Sequence, residues 1–307
     1  MKVIRHTQEK DSNALMATVG FFDGVHCGHC FLIEELRRLA AAKGLASAVI
    51  TFPVHPRIVL HDGYQPKLLN SFEEKMERLA LTGVDYCVVL DFTPALADLS
   101  AHDFVEKILQ QQWGVHTLLV GYDHRFGHNR ADGFEQYVAY GHACGMEVLR
   151  AGVCEAGERA VSSSRIRQLL MEGAVEKAAQ LLTYPYRMTG LVVHGHGLGR
   201  TLGFPTANIE MDELFKVQPG MGVYAVWVYL NGKRYKGMLS VGNRPTLNSE
   251  EVTVEVHLLH FSGIIYQQSI RVEFMYRLRN NRKFDSLDAL RAQLVEDCRM
   301  TDEILSE

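Results

Sequence analysis

VGFFDGVHCGHC, Val19 to Cys30, runs from the end of an apolar strand through a glycine-bearing turn into a helix whose pattern begins near His29. Such a junction is where an α/β sheet meets a phosphate. Gly24 and Gly28 let the backbone approach a ligand, and the N–H groups at a helix start favour negative charge. His26 and His29 are three residues apart, so both can face one bound group. No G-K-[ST] follows, which excludes a Walker loop, and no G-x-G-x-x-G opens the helix, so a dinucleotide fold of the dehydrogenase kind is not indicated. What remains is a phosphate site flanked by histidines.

The sequence around this stretch has a matching architecture. Between residues 15 and 150, β-rich runs at 15–19, 46–52, 86–90, 116–120 and 147–149 recur about every 30 to 40 residues, with helical patterns between them. Ser71-Phe-Glu-Glu74 and Ser100-Ala-His-Asp103 read as capping boxes or near relatives, and Gly44, Gly83, Gly114 and Gly145 stand where each helix should stop. Strands joined by helical crossovers imply an α/β, doubly wound parallel sheet, which binds ligands outside the carboxyl ends of its strands. The loops 20–29, 53–56 and 121–127 all fall on that edge. In GYDHRFGHNRADG, Gly121 to Gly133, Phe126 offers a stacking surface while Asp123 and Arg125 supply polar contacts; a surface loop with an internal salt bridge fits the same residues. In VSSSRIRQLL, Val161 to Leu170, Arg165 one turn into a helix is what a polyphosphate needs, although capping alone accounts for Ser162 and Ser163.

Near residues 182–186 the character changes. Pro185 ends the helical pattern, and strand-like runs follow at 187–193, 222–230, 233–241, 252–260 and 264–274, with Asn231-Gly232 signalling a type I′ hairpin. Short turns between strands imply a compact antiparallel barrel, on which a final helix over 286–298 should pack through Leu287, Leu290 and Leu294. The domain boundary is expected near residue 184, giving domains 1–183 and 184–307. Within the second, GHGLGRTLGFPTAN, Gly195 to Asn208, carries Gly195, Gly197, Gly199 and Gly203 and is flexible enough to close over a ligand. Thr206 and Asn208 alternate along an extended segment, so a hydroxyl and an amide carbonyl point to one side, a pairing that suits magnesium. Glu255 shares a strand face with Thr253 and His257, opposite Val252, Val254 and Val256; polar residues in that position commonly just meet water.

At 307 residues, 47% hydrophobic and 22% charged, the chain is long enough for two cores, and a net charge of −4 gives no reason to expect a nucleic-acid partner. The first residues have no signal-peptide core, and no run of about 18 apolar residues occurs, so no membrane association is expected and the protein should be soluble and cytoplasmic. The six cysteines (Cys27, Cys30, Cys87, Cys144, Cys154, Cys298) read as reduced thiols. Cys27-Gly-His-Cys30 alone leaves a redox or metal role open, without a second C-x-x-C to complete a zinc site.

Together these motifs resemble the bacterial bifunctional riboflavin kinase/FMN adenylyltransferases, or FAD synthetases, over nearly the whole chain. His26-Cys-Gly-His29 and Ser162-Ser-Ser-Arg-Ile-Arg167 resemble the nucleotidyltransferase superfamily; Gly203-Phe-Pro-Thr-Ala-Asn208 and Glu255 resemble riboflavin kinase. The resemblance implies ATP, riboflavin, FMN and FAD as small-molecule partners and Mg²⁺ as the divalent cation. It implies that His26 and His29, beside Gly24 and Gly28, contact ATP phosphates, and that Ser162, Ser163 and Arg165 hold the pyrophosphate end. Asp123, Arg125 and Phe126 would lie near the flavin. In the kinase half, Gly195, Gly197, Gly199 and Arg200 would serve the nucleotide, Thr206 and Asn208 the metal and phosphate, and Glu255 would be the general base. Several positions depart from the usual pattern: Pro53-Val54 stands where an acidic residue and proline are common, His124 replaces phenylalanine, and Ser164 replaces threonine. Likewise His260 stands for aspartate, Gln267 for glycine and Asn281 for glutamate. A chain with only one working half, or a flavin-binding regulatory module, would be the competing readings.

Overall fold

Strands β1 (Lys2–Ile4), β2 (Leu15–Val19), β3 (Ala46–Thr51), β4 (Tyr86–Val89), β5 (Val115–Val120) and β6 (Glu147–Arg150) pair as one parallel sheet in the order β1-β4-β3-β2-β5-β6. They belong to a computed structural model that describes every residue except 8–12, 61–65, 123, 129–130, 153–160, 196–197, 213–214, 246–249 and 307. The chain divides into two compact units, Met1–Ser162 and Ser163–Glu307.

All of β2 is buried because the sheet is covered on both faces. Leu15, Ala17 and Val19 join one core with Phe104, Val105 and Tyr137; Met16 on the other face joins Ile33, Leu36 and Leu79. The crossovers supply these covers: α1 (Cys27–Lys43), α2 (Pro56–Leu60), α3 (Phe72–Leu81), α4 (Pro94–Ala97), α5 (Ala101–Asp103), which continues as a π-type helix over Phe104–Gln112, and α6 (Phe134–Ala143). Ser71 and Glu74 form the expected capping box, Ser100 caps α5, and the four stop glycines all take positive φ. Chain order reverses at β2, whose neighbours are β3 and β5. A crevice therefore opens beyond the carboxyl ends of β2 and β5, the switch point of such a sheet.

In this unit the start of α1 and the first strand differ from the sequence expectation. Helix α1 starts at Cys27 rather than near His29: the Cys30 N–H already donates to His26 O at 2.9 Å, so His26 is the N-cap and His29 lies in the first turn. Strand β1 was not expected, since three residues paired only to β4 carry too short a pattern to read.

The second unit begins with α7 (Ser163–Met171) and α8 (Val175–Leu182) and continues as β7 (Tyr186–Val193), α9 (Leu198–Thr201), β8 (Ala207–Met211), β9 (Gly222–Leu230), β10 (Lys233–Pro245), β11 (Glu250–Leu258), β12 (Ser269–Arg279) and α10 (Leu287–Ile304). The strands close an antiparallel barrel in the order β10-β11-β8-β7-β12-β9. Helices α7 and α8 are tied to β12: Glu176 Oε1 accepts the Arg277 N–H at 2.7 Å, and Arg277 Nη1 donates to Glu172 O at 2.9 Å. Asn231 and Gly232, both at positive φ, make the tight β9–β10 turn.

The last strand occupies Ser269–Arg279 rather than 264–274, and Gln267 before it sits at φ 61°. The leucine stripe on α10 also behaves differently from expectation. Leu287 is 62% exposed, and the helix buries Asp297 and Thr301 instead. Arg279 on β12 grips the Asp297 carboxylate with Nε (3.0 Å to each oxygen) and Nη2 (2.7 Å).

Candidate active sites

Between β2 and α1 the backbone turns sharply, with Phe22 (φ 57°), Gly24 (φ 83°) and Val25 (φ 36°) all in or near the left-handed region. Two of these are not glycine, and such strain persists only where surrounding contacts hold it. Asp23 supplies one hold: its buried carboxylate accepts the N–H groups of Leu69 (2.9 Å) and Asn70 (3.3 Å). Lys75, 3% exposed, supplies another. Its Nζ donates to Phe52 O (2.8 Å), Phe21 O (3.1 Å) and Thr51 Oγ1 (3.4 Å), and lies 4.0 Å from the Phe21 ring centre. The ends of β2 and β3 are thereby pinned to α3. Burial pulls this ammonium down to a pKa of about 8, against the opposing pull of Asp23.

The turn delivers His26 and His29 as a stacked pair, ring centres 3.7 Å apart and planes at 17°. Gly28 permits this, since a Cβ there would lie 3.3 Å from the His26 ring. Phe22 backs His29 edge-on at 5.1 Å. His29 Nδ1 is shut off from solvent and has no hydrogen-bond partner among the described residues. Burial, then the charges of His26, His124 and Lys75, push the His29 pKa well below the ordinary imidazole value. The imidazole is therefore neutral at pH 7 in the absence of a ligand. Crowded basic groups at the start of a 17-residue helix are what an incoming polyanion would relieve.

From the β5 side, Phe126 does not stand open for stacking. Its ring lies on Tyr137 at 4.1 Å and 11°, and the Tyr137 hydroxyl accepts the Phe126 N–H at 3.0 Å. Arg125 is exposed, and Asp123 lies outside the described residues. Ser162 ends the first unit, whereas Ser163 and Arg165 belong to α7, where Arg165 Nη1 donates to Gln168 Oε1 at 3.2 Å. Cys27, Cys30, Cys87, Cys144 and Cys298 form no disulfide among the described residues, Cys154 lies outside them, and no metal-holding group of three or more His, Cys, Asp or Glu occurs among those described. The redox and metal readings of Cys27-x-x-Cys30 thus gain no support, and burial pushes the Cys30 thiol up, away from reactivity.

In the barrel, pairing puts Glu255 of β11 directly opposite Asn208 of β8. Thr206, just before β8, donates from Oγ1 to Glu255 Oε2 at 3.1 Å. His257 fixes the approach by donating from Nδ1 to Pro205 O at 2.8 Å. The polar face of β11 does not simply meet water: Thr253, Glu255 and His257 line a cavity of about 770 Å³ whose apolar wall includes Met238, Leu290 and Leu294. A second cavity of about 320 Å³ is lined by Arg200, Phe261, Ile264 and Tyr266, and Thr206 borders both. Arg200 Nη2 donates to the Tyr266 hydroxyl at 3.4 Å, and Tyr266 stacks on His194 at 3.8 Å. Gly195 and Gly199 are packing requirements, because a Cβ at the first would overlap the Asn208 amide and at the second Phe204 O. Gly197 lies outside the described residues. Lys75, His257 and Tyr266 carried no role in the sequence reading: the first sits in an amphipathic helix, and the others act through backbone and ring contacts that no motif announces.

Comparison with known proteins agrees with this geometry. Residues 8–165 match the family model for FAD synthetase, and residues 182–305 match that for riboflavin kinase. A bifunctional riboflavin kinase/FMN adenylyltransferase of Listeria monocytogenes is 37% identical over 94% of this chain and 91% of its own length. Those of Haemophilus influenzae and Escherichia coli are 37% and 36% identical, each over 97% of this chain and over 97% and 96% of their own lengths. A crystal structure described as a macrolide-efflux protein from Streptococcus pneumoniae superposes with a TM-score of 0.87 at 31% identity, covering 97% of each chain. No helix among the described residues of the present chain is long and apolar enough to cross a membrane. With the paired imidazoles at the sheet switch point and the Thr206–Glu255 contact in the barrel, the chain belongs to the bifunctional riboflavin kinase/FMN adenylyltransferase family.

Proposed function

We propose that the barrel transfers the γ-phosphoryl group of ATP to the ribityl hydroxyl of riboflavin, giving FMN, and that the sheet unit joins FMN to the adenylyl group of ATP, giving FAD and pyrophosphate. The observation that carries the first step is Thr206, which borders both barrel cavities while its hydroxyl holds Glu255. The larger cavity, with Met238, Leu290 and Leu294, suits a flat apolar ring system; the smaller, with Phe261, Tyr266 and Arg200, suits a nucleotide. Donor and acceptor then meet beside Glu255, which accepts the hydroxyl proton, a contribution of about 10²- to 10⁴-fold. Thr206 and Asn208 offer hard oxygen donors next to that carboxylate, the sparse protein share that magnesium takes when phosphates supply the rest. Bound there, Mg²⁺ would neutralise charge on the phosphate oxygens.

For the adenylyl step, FMN phosphate must approach ATP. Two unit charges about 5 Å apart repel by roughly 3 kcal/mol at an effective dielectric near 20, and several pairs are involved. His26, His29 and the first turn of α1 offset this in the sheet unit. Arg125, with Asp123, serves the flavin side.

The test is product analysis of the full chain with riboflavin, ATP and Mg²⁺. His29→Ala should accumulate FMN without FAD; Glu255→Gln should make no FMN yet convert supplied FMN to FAD. Loss of both activities in either variant would refute two separate centres, and FMN alone from the unaltered chain would leave only the barrel active.

A further inference from the structure

We propose that His124 is a third imidazole of the phosphate centre in the sheet unit, contacting the nucleotide's polyphosphate from the β5 side. The inference rests on reading His26 and His29 as phosphate ligands and extends it to a residue that has no assigned role.

β5 is the neighbour of β2 at the switch point, so the loop after β5 forms the opposite wall of the crevice from α1. There the chain bends back at once, the His124 N–H donating to Gly121 O at 3.1 Å. The bend lays the side chain over Gly121, where a Cβ would meet His124 Cβ at 3.5 Å and Leu32 Cδ2 at 3.8 Å. Leu32 is three residues beyond His29 on α1, so Gly121 lies against that helix one turn past His29, and His124 is near enough to be felt electrostatically by His29. His124 Nε2 is shielded from solvent.

The loop is also held in place. Two residues on, Phe126 is stacked against Tyr137, whose hydroxyl takes the Phe126 N–H and donates to Phe126 O at 3.2 Å. The His124 ring is 6.1 Å from this anchored ring. His124 is among the charges that hold down the His29 pKa, with His26 from the N-cap of α1 and Lys75 from α3. Asp23, the carboxylate that acts on Lys75, is engaged by the N–H groups of Leu69 and Asn70. Three imidazoles and an ammonium converging on one helix start describe a receptor for a multiply charged anion, with N–H donors on both walls of the crevice.

The experiment measures KM for ATP in FAD formation from supplied FMN and Mg²⁺, using the full chain and its His124→Phe, His124→Gln and His29→Ala variants. His124→Phe should raise KM for ATP about tenfold, the size of one lost charge-assisted hydrogen bond, with kcat largely retained. His124→Gln, which keeps a donor, should recover most of the affinity, while riboflavin phosphorylation stays unchanged in both. An unchanged KM in His124→Phe, or a glutamine variant no better than the phenylalanine one, would overturn the role of His124. Persistence of FAD formation in His29→Ala would instead overturn the underlying phosphate site, so the two failures are separable.

Discussion

Removing the guanidinium of Arg279 should undock α10 from the barrel more effectively than removing any leucine of that helix. Asp297 is fully buried, and Arg279, itself 19% exposed, contacts both carboxylate oxygens at 2.7–3.0 Å while Gln293 Nε2 donates a further bond at 2.7 Å. Arg279→Met leaves that carboxylate in the interior with one neutral donor, a situation that costs about 3–5 kcal/mol. Asp297→Leu strands the cation instead, at a similar cost. The double variant removes both charges, and such replacements are often near neutral, so the coupling energy should be at least about 3 kcal/mol. With a urea slope of roughly 1–3 kcal/mol per molar, either single change should lower the midpoint by about 1 M or more, most of it restored in the double. The chain has two tryptophans, Trp113 in the first unit and Trp227 in the second, so fluorescence in a Trp113→Phe background reports the barrel alone. Additive losses, with the double variant as unstable as the two singles summed, would refute the assignment of this pair as the helix anchor.

The remaining expectations are smaller in scope. Gly195→Ala forces the Asn208 amide aside, so FMN formation should drop by up to about 100-fold while FAD still forms from supplied FMN; undiminished kinase activity would show that Asn208 need not stay where it is. Gln267→Gly relieves a left-handed residue costing about 1–2 kcal/mol, against roughly 0.5–1 kcal/mol of added chain entropy, so the barrel should gain up to about 1.5 kcal/mol; a lower urea midpoint would contradict this. Because the folded His29 pKa lies well below the unfolded value of 6.5, the unfolded chain binds the extra proton. Stability should therefore be intact above about pH 6.5 and fall as pH drops towards the folded value. Trp113 fluorescence should show this fall, and His29→Asn should flatten it; an unchanged slope would mean that His29 titrates normally in the fold.

What was legible in the chain was whatever the local backbone decides. Two-sided burial made the strands of the sheet continuous apolar runs, Ser71 with Glu74 closed a box that needs four residues, and Asn231-Gly232 set a turn by taking positive φ twice. The paired histidines belong to this class, since a helix N-terminus puts residues three apart on one face wherever it occurs. β1 was missed because an edge strand of three residues has no period, and the π-type run at Phe104–Gln112 because its apolar spacing passes for an ordinary helix.

The residues that escaped are those whose meaning is supplied by another part of the chain. Leu290 and Leu294 form a stripe that reads as core, yet they wall a cavity, and α10 is held to the barrel by the Arg279–Asp297 and Lys236–Asp302 pairs together with the packing of Cys298 on Met238. Lys75 follows Glu74 in a helix of mixed charge, where a lysine ordinarily reaches water; here the ends of β2 and β3 present carbonyls to it, and the ammonium goes in. The same logic explains why departures from a family pattern differ in weight. Gln267 replaces glycine at a left-handed position, so its effect is on backbone strain and remains local. His124 replaces an apolar ring with nitrogen donors in a crevice already crowded with basic groups, so its effect depends on what enters that crevice. φ at one and the wall opposite at the other are why the first is expected to act on stability and the second on affinity.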